Sequence, residues 1–221
     1  MKKKFVLILL LIFPITAYVY FSMVKHNSLY LSTVVENVDE LPEGTTLNGM
    51  KVHLLDKITV VGFPGDDLTK RKESLFNLNQ KIYNKCAEFD DFQMVMLLPK
   101  GSDEEVKQVI SDLKRMSDLS GWRFLFTEPE NIEAFHRSLQ TKQPLDEDYG
   151  SFYVYIIDKK RNLRGRNGEV ESEKGNNVMD GYNTFSAAEL HNEMTDDIKI
   201  LLREYRLALK KNTSKGVKRE I

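Results

Sequence analysis

Lys57-Ile-Thr-Val-Val-Gly-Phe-Pro-Gly-Asp-Asp-Leu-Thr-Lys70 decides how the chain is read. It has the form of a buried strand, a sharp turn and the start of a helix running through Asn84. Ile58, Val60, Val61 and Phe63 make a short, nearly continuous run of β-forming apolar residues, the pattern of a strand covered on both faces. Pro64-Gly65 breaks the run, and Asp66 or Asp67 can cap the helix that follows.

Outward from this stretch the helix continues the pattern. Leu68, Leu75, Phe76, Leu78, Ile82 and Tyr83 recur at helical spacing and give one buried face. Phe92–Leu98 is a second core strand, stopped by Pro99-Lys-Gly101. Ser102-Asp-Glu-Glu105 has the form of a capping box, with the Ser102 hydroxyl bonding the Glu105 amide and the Glu105 carboxylate reaching back. Val106, Val109, Ile110, Leu113 and Met116 then form an apolar stripe that Gly121 ends. Trp122–Phe126 is a third strand, and Glu128-Pro-Glu130 opens a short helix. Pro144–Gly150 is an acidic loop. Ser151–Ile157 is a fourth, aromatic strand, turned by Asp158–Asn162 towards Leu163-Arg-Gly-Arg166. Residues 167–180 lack an apolar pattern and read as a mobile loop. Ser186-Ala-Ala-Glu189 is a second candidate capping box. Beyond it a long terminal helix runs past Leu209, with a kink expected near Thr195. Strands alternating with helices predict a three-layer α/β domain closed by a hairpin and a last helix.

The 221 residues suffice for one domain with a substantial core plus an anchor. The net charge of −1 argues against nucleic acid as a partner. Cys86 is the single cysteine, so the chain forms no internal disulfide and performs no dithiol chemistry alone. Lys2-Lys3-Lys4 precedes Phe5–Val24, an uncharged and mostly apolar segment. At about 1.5 Å per residue its twenty or so residues span about 30 Å, the thickness of a bilayer core. The small residues of a cleaved signal are poorly placed, so an uncleaved anchor is expected. Its N-terminus lies in the cytoplasm and the rest of the chain outside it. The division follows: 1–25 the membrane anchor, 26–50 a stalk carrying one or two short strands (Leu31–Val35 and Lys51–Leu54 the candidates), 51–209 the α/β domain, and 210–221 a basic, frayed tail.

The order of elements resembles the thioredoxin fold, and several stretches resemble its Sco-type branch: Val60-Val-Gly-Phe63, Trp122-Arg-Phe-Leu125, Val154-Tyr-Ile-Ile-Asp158, Leu163-Arg-Gly165, Asp180-Gly181 and Asp197–Leu202. The likeness covers roughly residues 50–205. It implies a three-layer α/β/α thioredoxin-like domain and a membrane-anchored, extracytoplasmic protein linked to copper delivery to cytochrome oxidase. The family's C-x-x-x-C pair would fall on Asp66 and Lys70, and its metal-binding histidine near Gly150. Copper(I) needs soft thiolate donors, which Asp, Lys and Gly do not supply. A low-pKa thiol at the helix start is missing as well. The resemblance thus predicts a retained scaffold with its active-site turn given over to structure.

The expected function is binding. The chain would be a redox-inactive assembly or protein-binding factor for an unidentified envelope protein, with no catalytic residues, no metal ligands and no cofactor. Its contact surface is expected at the vestigial turn: Phe63, Pro64, Gly65, Asp66, Asp67, Lys70, Tyr149 and Gly150. Arg164 and Arg166 alternate on a strand, point the same way and could receive an anionic partner. The rival is copper or redox work through Cys86 with His or Met ligands. His191 and Met194, three apart, would share a helix face for this. A purely structural envelope subunit is the third reading. Packing alone accounts for Cys86, Met94 and Met96, and the remaining histidines stand isolated.

Overall fold

The computed structural model describes residues 12–16, 30–166 and 179–216, and of 208–216 the backbone only. Its strands are β1 (Ser32–Val35), β2 (Thr45–Thr46), β3 (Ile58–Pro64), β4 (Phe92–Pro99), β5 (Trp122–Thr127), β6 (Gly150–Ile157), β7 (Leu163–Gly165) and β8 (Tyr182–Asn183). Its helices are α1 (Leu68–Leu78), α2 (Asn84–Cys86), α3 (Asp103–Lys114), α4 (Pro129–Ser138), α5 (Ala187–Glu189) and α6 (Thr195–Gly216). Most of the expected anchor and nearly all of the expected loop at 167–180 lie outside the described residues. Among the described residues no helix is long and apolar enough to cross a membrane.

The strand order is β1-β7-β6-β3-β4-β5-β2, with β8 on β6, so the deciding run lies at the middle of the sheet. β3 pairs in parallel with β4 and antiparallel with β6. Side chains alternate across the sheet as strand geometry requires. Ile58, Val60, Met94, Met96, Trp122, Phe124, Val154 and Ile156 enter one core, against α1, α3 and the terminal helices. Val61, Phe63, Val95, Leu97, Leu125, Tyr155 and Ile157 enter the other, against α4 and the segment around Val38, Leu41 and Leu54. Both faces are covered, which gives the expected three layers.

Several expectations are corrected. Residues 30–50 are not a stalk. β1 pairs with β7, β2 pairs with β5, and Val38 and Leu41 are buried, so this segment closes both edges of the sheet. Leu54 is buried, but Lys51–Leu54 forms no strand. The terminal helix continues to Gly216, through the first part of the expected frayed tail. The helix expected to end at Asn84 runs to Cys86 through a π-helical segment, Asn79–Tyr83. A second π-helical segment, Leu190–Met194, produces the irregularity expected near Thr195. The Thr195 hydroxyl donates to the Leu190 carbonyl at 2.9 Å and is also 3.3 Å from the Lys81 carbonyl, so it joins the two π segments.

The capping box at Ser102 does not form. Its hydroxyl donates back to the Pro99 carbonyl at 3.0 Å, and Glu105 instead accepts from the Leu68 amide at 3.3 Å. At the second candidate box Ser186 accepts from the Glu189 amide, while the Glu189 carboxylate bonds the Asn183 amide.

Candidate functional site

β3 ends at Pro64 and pairs there with Gly150 at the start of β6. This pairing brings Asp66, Lys70 and Gly150 to one place. Gly65 has φ +79°, and a Cβ there would lie 2.8 Å from the Asp148 carbonyl, so only glycine makes the turn. The Asp66 amide donates to that carbonyl at 3.1 Å. Asp67 caps α1 by accepting from the Thr69 amide at 3.0 Å. The opposite loop is closed by bonds from the Asp146 amide to the Gly150 carbonyl and from the Tyr149 amide to the Asp146 carbonyl. Tyr149 is held at φ +57°, a conformation few side chains adopt freely.

The centre of the site is Arg71, which the sequence reading passed over. It is 2% exposed. Its Nη1 donates to Asp148 at 2.8 Å and to the Pro64 carbonyl at 3.1 Å, and its Nη2 pairs with Asp146. The guanidinium also lies 5.0 Å from the centre of the Phe152 ring, a cation–π distance. Gly150 leaves the room: a Cβ there would sit 2.3 Å from Arg71 Cζ. Burial raises the Asp148 pKa, but hydrogen bonds and charge from Arg71, with help from Lys70, outweigh it and hold Asp148 below the ordinary carboxylate value. Lys70 Nζ reaches Asp148 at 3.3 Å. The turn is therefore fastened across the gap by an Arg–Asp pair.

The expected contact residues divide. Phe63 is not a surface aromatic. It is 1% exposed and packs against His136 and Tyr155 in the second core. Pro64, Gly65 and Gly150 are buried, Asp67 and Tyr149 half-buried, and Asp66 and Lys70 exposed. The exposed aromatic near the turn is Phe185, which meets Phe152 edge-on at 6.1 Å. The signal for Arg71 in the sequence is the acidic run at 146–148, whose Asp146 and Asp148 are its partners.

Arg164 and Arg166 point the same way, as expected, but their carboxylates come from this chain. Arg164 is buried and pairs with Asp158 at 2.9 Å and Glu204 at 2.8 Å. Its Nε also donates to the Leu31 carbonyl. Arg166 Nε pairs with Asp197 at 2.9 Å, and Asp197 also accepts from the Tyr182 hydroxyl at 2.7 Å. The family-like residues Asp158, Arg164 and Asp197 thus lock the terminal helix and β1 onto the sheet. They form no receiving surface for an external anion.

Cys86 is buried, and burial pushes its thiol up to about 11, against the smaller pull of Lys85 and Lys199. His191 and Met194 do not share a face, because they lie in a π-helical turn where residues three apart no longer align. Met194 is in the core, and His191 is exposed beside Lys85. Among the described residues no group of three or more His, Cys, Asp or Glu could hold a metal ion.

In structure, the chain matches BsSco, a member of the Sco family of cytochrome c oxidase assembly proteins. The match has a TM-score of 0.52 at 12% identity and covers 76% of this chain and 95% of that one. The fold is thioredoxin-like. Also matched are the soluble domain of Sco1 from Bacillus subtilis (14% identity, 75% and 92% covered, TM-score 0.46) and copper-bound ScoI from Arabidopsis thaliana (18% identity, 72% and 98% covered, TM-score 0.41). At these identities the likeness is one of fold. No protein-family model and no curated protein matches the chain in sequence.

Proposed function

We propose that this chain is a redox-inactive, thioredoxin-like binding protein, held outside the cytoplasm by Phe5–Val24 and serving an envelope protein as an assembly factor. A place in oxidase or metalloprotein biogenesis rests on the Sco resemblance. One observation carries the reading: the Arg71–Asp148 pair fills the space between the turn and the loop, where reactive sulfur would be expected to work. The rim around it presents Asp66, Lys70, Asp146 and Glu147 to solvent, beside Phe185. That surface sets an exposed aromatic side chain within a polar rim, an arrangement that suits recognition.

The test uses the full-length chain in mild detergent. It should neither accelerate disulfide reduction nor compete with a chelator for Cu(I). A photo-crosslinker at Asp66 in intact membranes should capture one protein that a crosslinker at Arg115 does not. Stoichiometric Cu(I) binding abolished by Cys86→Ser would establish the rival reading.

A further inference from the structure

α3 has two working faces. Val106, Val109 and Leu113 enter the core, while Lys107, Ile110, Ser111 and Lys114 recur at i, i+3, i+4 and i+7 along a second face. That second face forms one wall of a cavity of about 470 Å³. Trp122 and Phe124 of β5 make its floor, stacked at 5.7 Å with 15° between their planes. The turn after β2, Thr46–Asn48, makes the rim, and Leu119 and Arg123 complete the lining. The volume falls in the range that holds small organic ligands.

The rim is fixed in place. β2 pairs with Phe126 and Leu125 of β5, and the Thr127 hydroxyl donates to the Glu43 carbonyl at 2.7 Å. Within the turn the Thr46 hydroxyl donates to the Met50 carbonyl at 2.8 Å, and the Gly49 amide to the Thr46 carbonyl at 3.0 Å. The hollow thus exists before any ligand arrives.

Its chemistry is one-sided. Three cations line it and no carboxylate does, in a chain whose overall charge is −1. Lys107 is engaged by Glu104 at 2.6 Å. Lys114 and Arg123 make no ion pair among the described residues, and Arg123 is held at the rim by the carbonyls of Ser120 and Trp122. Below them Trp122 is 5% exposed, and its indole Nε1 finds no acceptor among the described residues.

We propose that this cavity binds a small organic anion: a flat apolar body lying against Trp122, Phe124 and Ile110, with a carboxylate drawn to Lys114 and Arg123. The site is distinct from the Arg71 turn and does not depend on the function proposed for it.

Trp122 is the only tryptophan, so its emission reports this cavity alone. The full-length chain in dodecylmaltoside is titrated with 6-bromo-2-naphthoate, whose bromine quenches indole fluorescence on contact. Saturable quenching is expected, with the neutral 6-bromo-2-naphthamide at least tenfold weaker. Lys114→Glu combined with Arg123→Glu should weaken the naphthoate at least tenfold, and Lys100→Glu, on another surface, should leave it unchanged. If the double variant loses its fold by circular dichroism, the exposed single change Lys114→Gln replaces it, with at least threefold weakening expected. Absence of saturation, equal affinity for acid and amide, or indifference to the charge changes would each overturn the proposal.

Discussion

Replacing Arg71 with methionine tests whether the turn is held by charge. The guanidinium is 2% exposed and faces Asp148, whose side chain is 10% exposed, and Asp146, which is 54% exposed. The Asp146 contact is largely solvated and contributes little. The Asp148 contact is different: deleting one partner of a buried pair strands the other charge, at a cost of about 3–5 kcal/mol. Lys70 remains at 3.3 Å to share the burden, so the lower end, about 3 kcal/mol, is expected. With a urea m-value of about 2 kcal/mol/M, the unfolding midpoint of residues 30–221 should fall by about 1.5 M. Arg71→Met combined with Asp148→Asn should recover much of the loss, because no charge is then stranded.

The acid limb gives an independent readout. Asp148 titrates below the ordinary carboxylate value in the folded chain. Its contribution is therefore complete above the unfolded value of about 4 and is lost as the pH falls through the lowered native value. In Arg71→Met, burial is opposed only by Lys70 and a backbone hydrogen bond, so the loss of stability below about pH 4 should flatten. A single-variant cost under about 1 kcal/mol, or strictly additive effects in the cycle, would refute the account of the turn as an ionic clasp.

Three other outcomes are expected. Cys86 should resist a thiol reagent at pH 8 and react fully in urea, since burial keeps it protonated up to about 11; labelling of the folded chain within minutes would contradict this. Arg164→Met strands Asp158 and releases the Leu31 carbonyl, so it should cost about 3 kcal/mol and raise amide exchange in Ser32–Val35. Asp66→Cys with Lys70→Cys should not restore an active dithiol, because Asp67 and Glu105 already serve the start of α1; a thiol pKa well below the usual value of about 8.5 would show otherwise.

The sheet was legible because alternation is local: Val60 and Val61 announce opposite faces whatever they pack against. The paired direction of Arg164 and Arg166 was legible for the same reason. Their carboxylates were not, since Asp197 and Glu204 lie on a helix whose docking is a tertiary event. Glu105 makes the same point. Its spacing from Ser102 satisfied a local motif, but the Leu68 amide, 37 residues away, took the carboxylate. Arg71 was hidden because a charged residue on an amphipathic helix ordinarily faces water. Only Gly150, with no side chain, and the acids at 146 and 148 foreshadowed where it goes. Residues 30–50 looked like a stalk because their strands are short, and a two-residue strand such as β2 exists only by pairing with β5.

Electrostatics at the start of α1 explains where its first amides go. A helix start carries unpaired amides and partial positive charge, which in a redox protein lowers the pKa of a thiol. Here the Leu68 and Thr69 amides go to Glu105 and Asp67. The Asp66 amide goes to the Asp148 backbone, and the Asp148 side chain is matched by Arg71. Each of these amides is taken up by a carboxylate or carbonyl of the fold itself. The turn is consequently tied at both ends: Arg71 reaches from α1 to the Pro64 carbonyl at the end of β3 and to Asp148 in the facing loop.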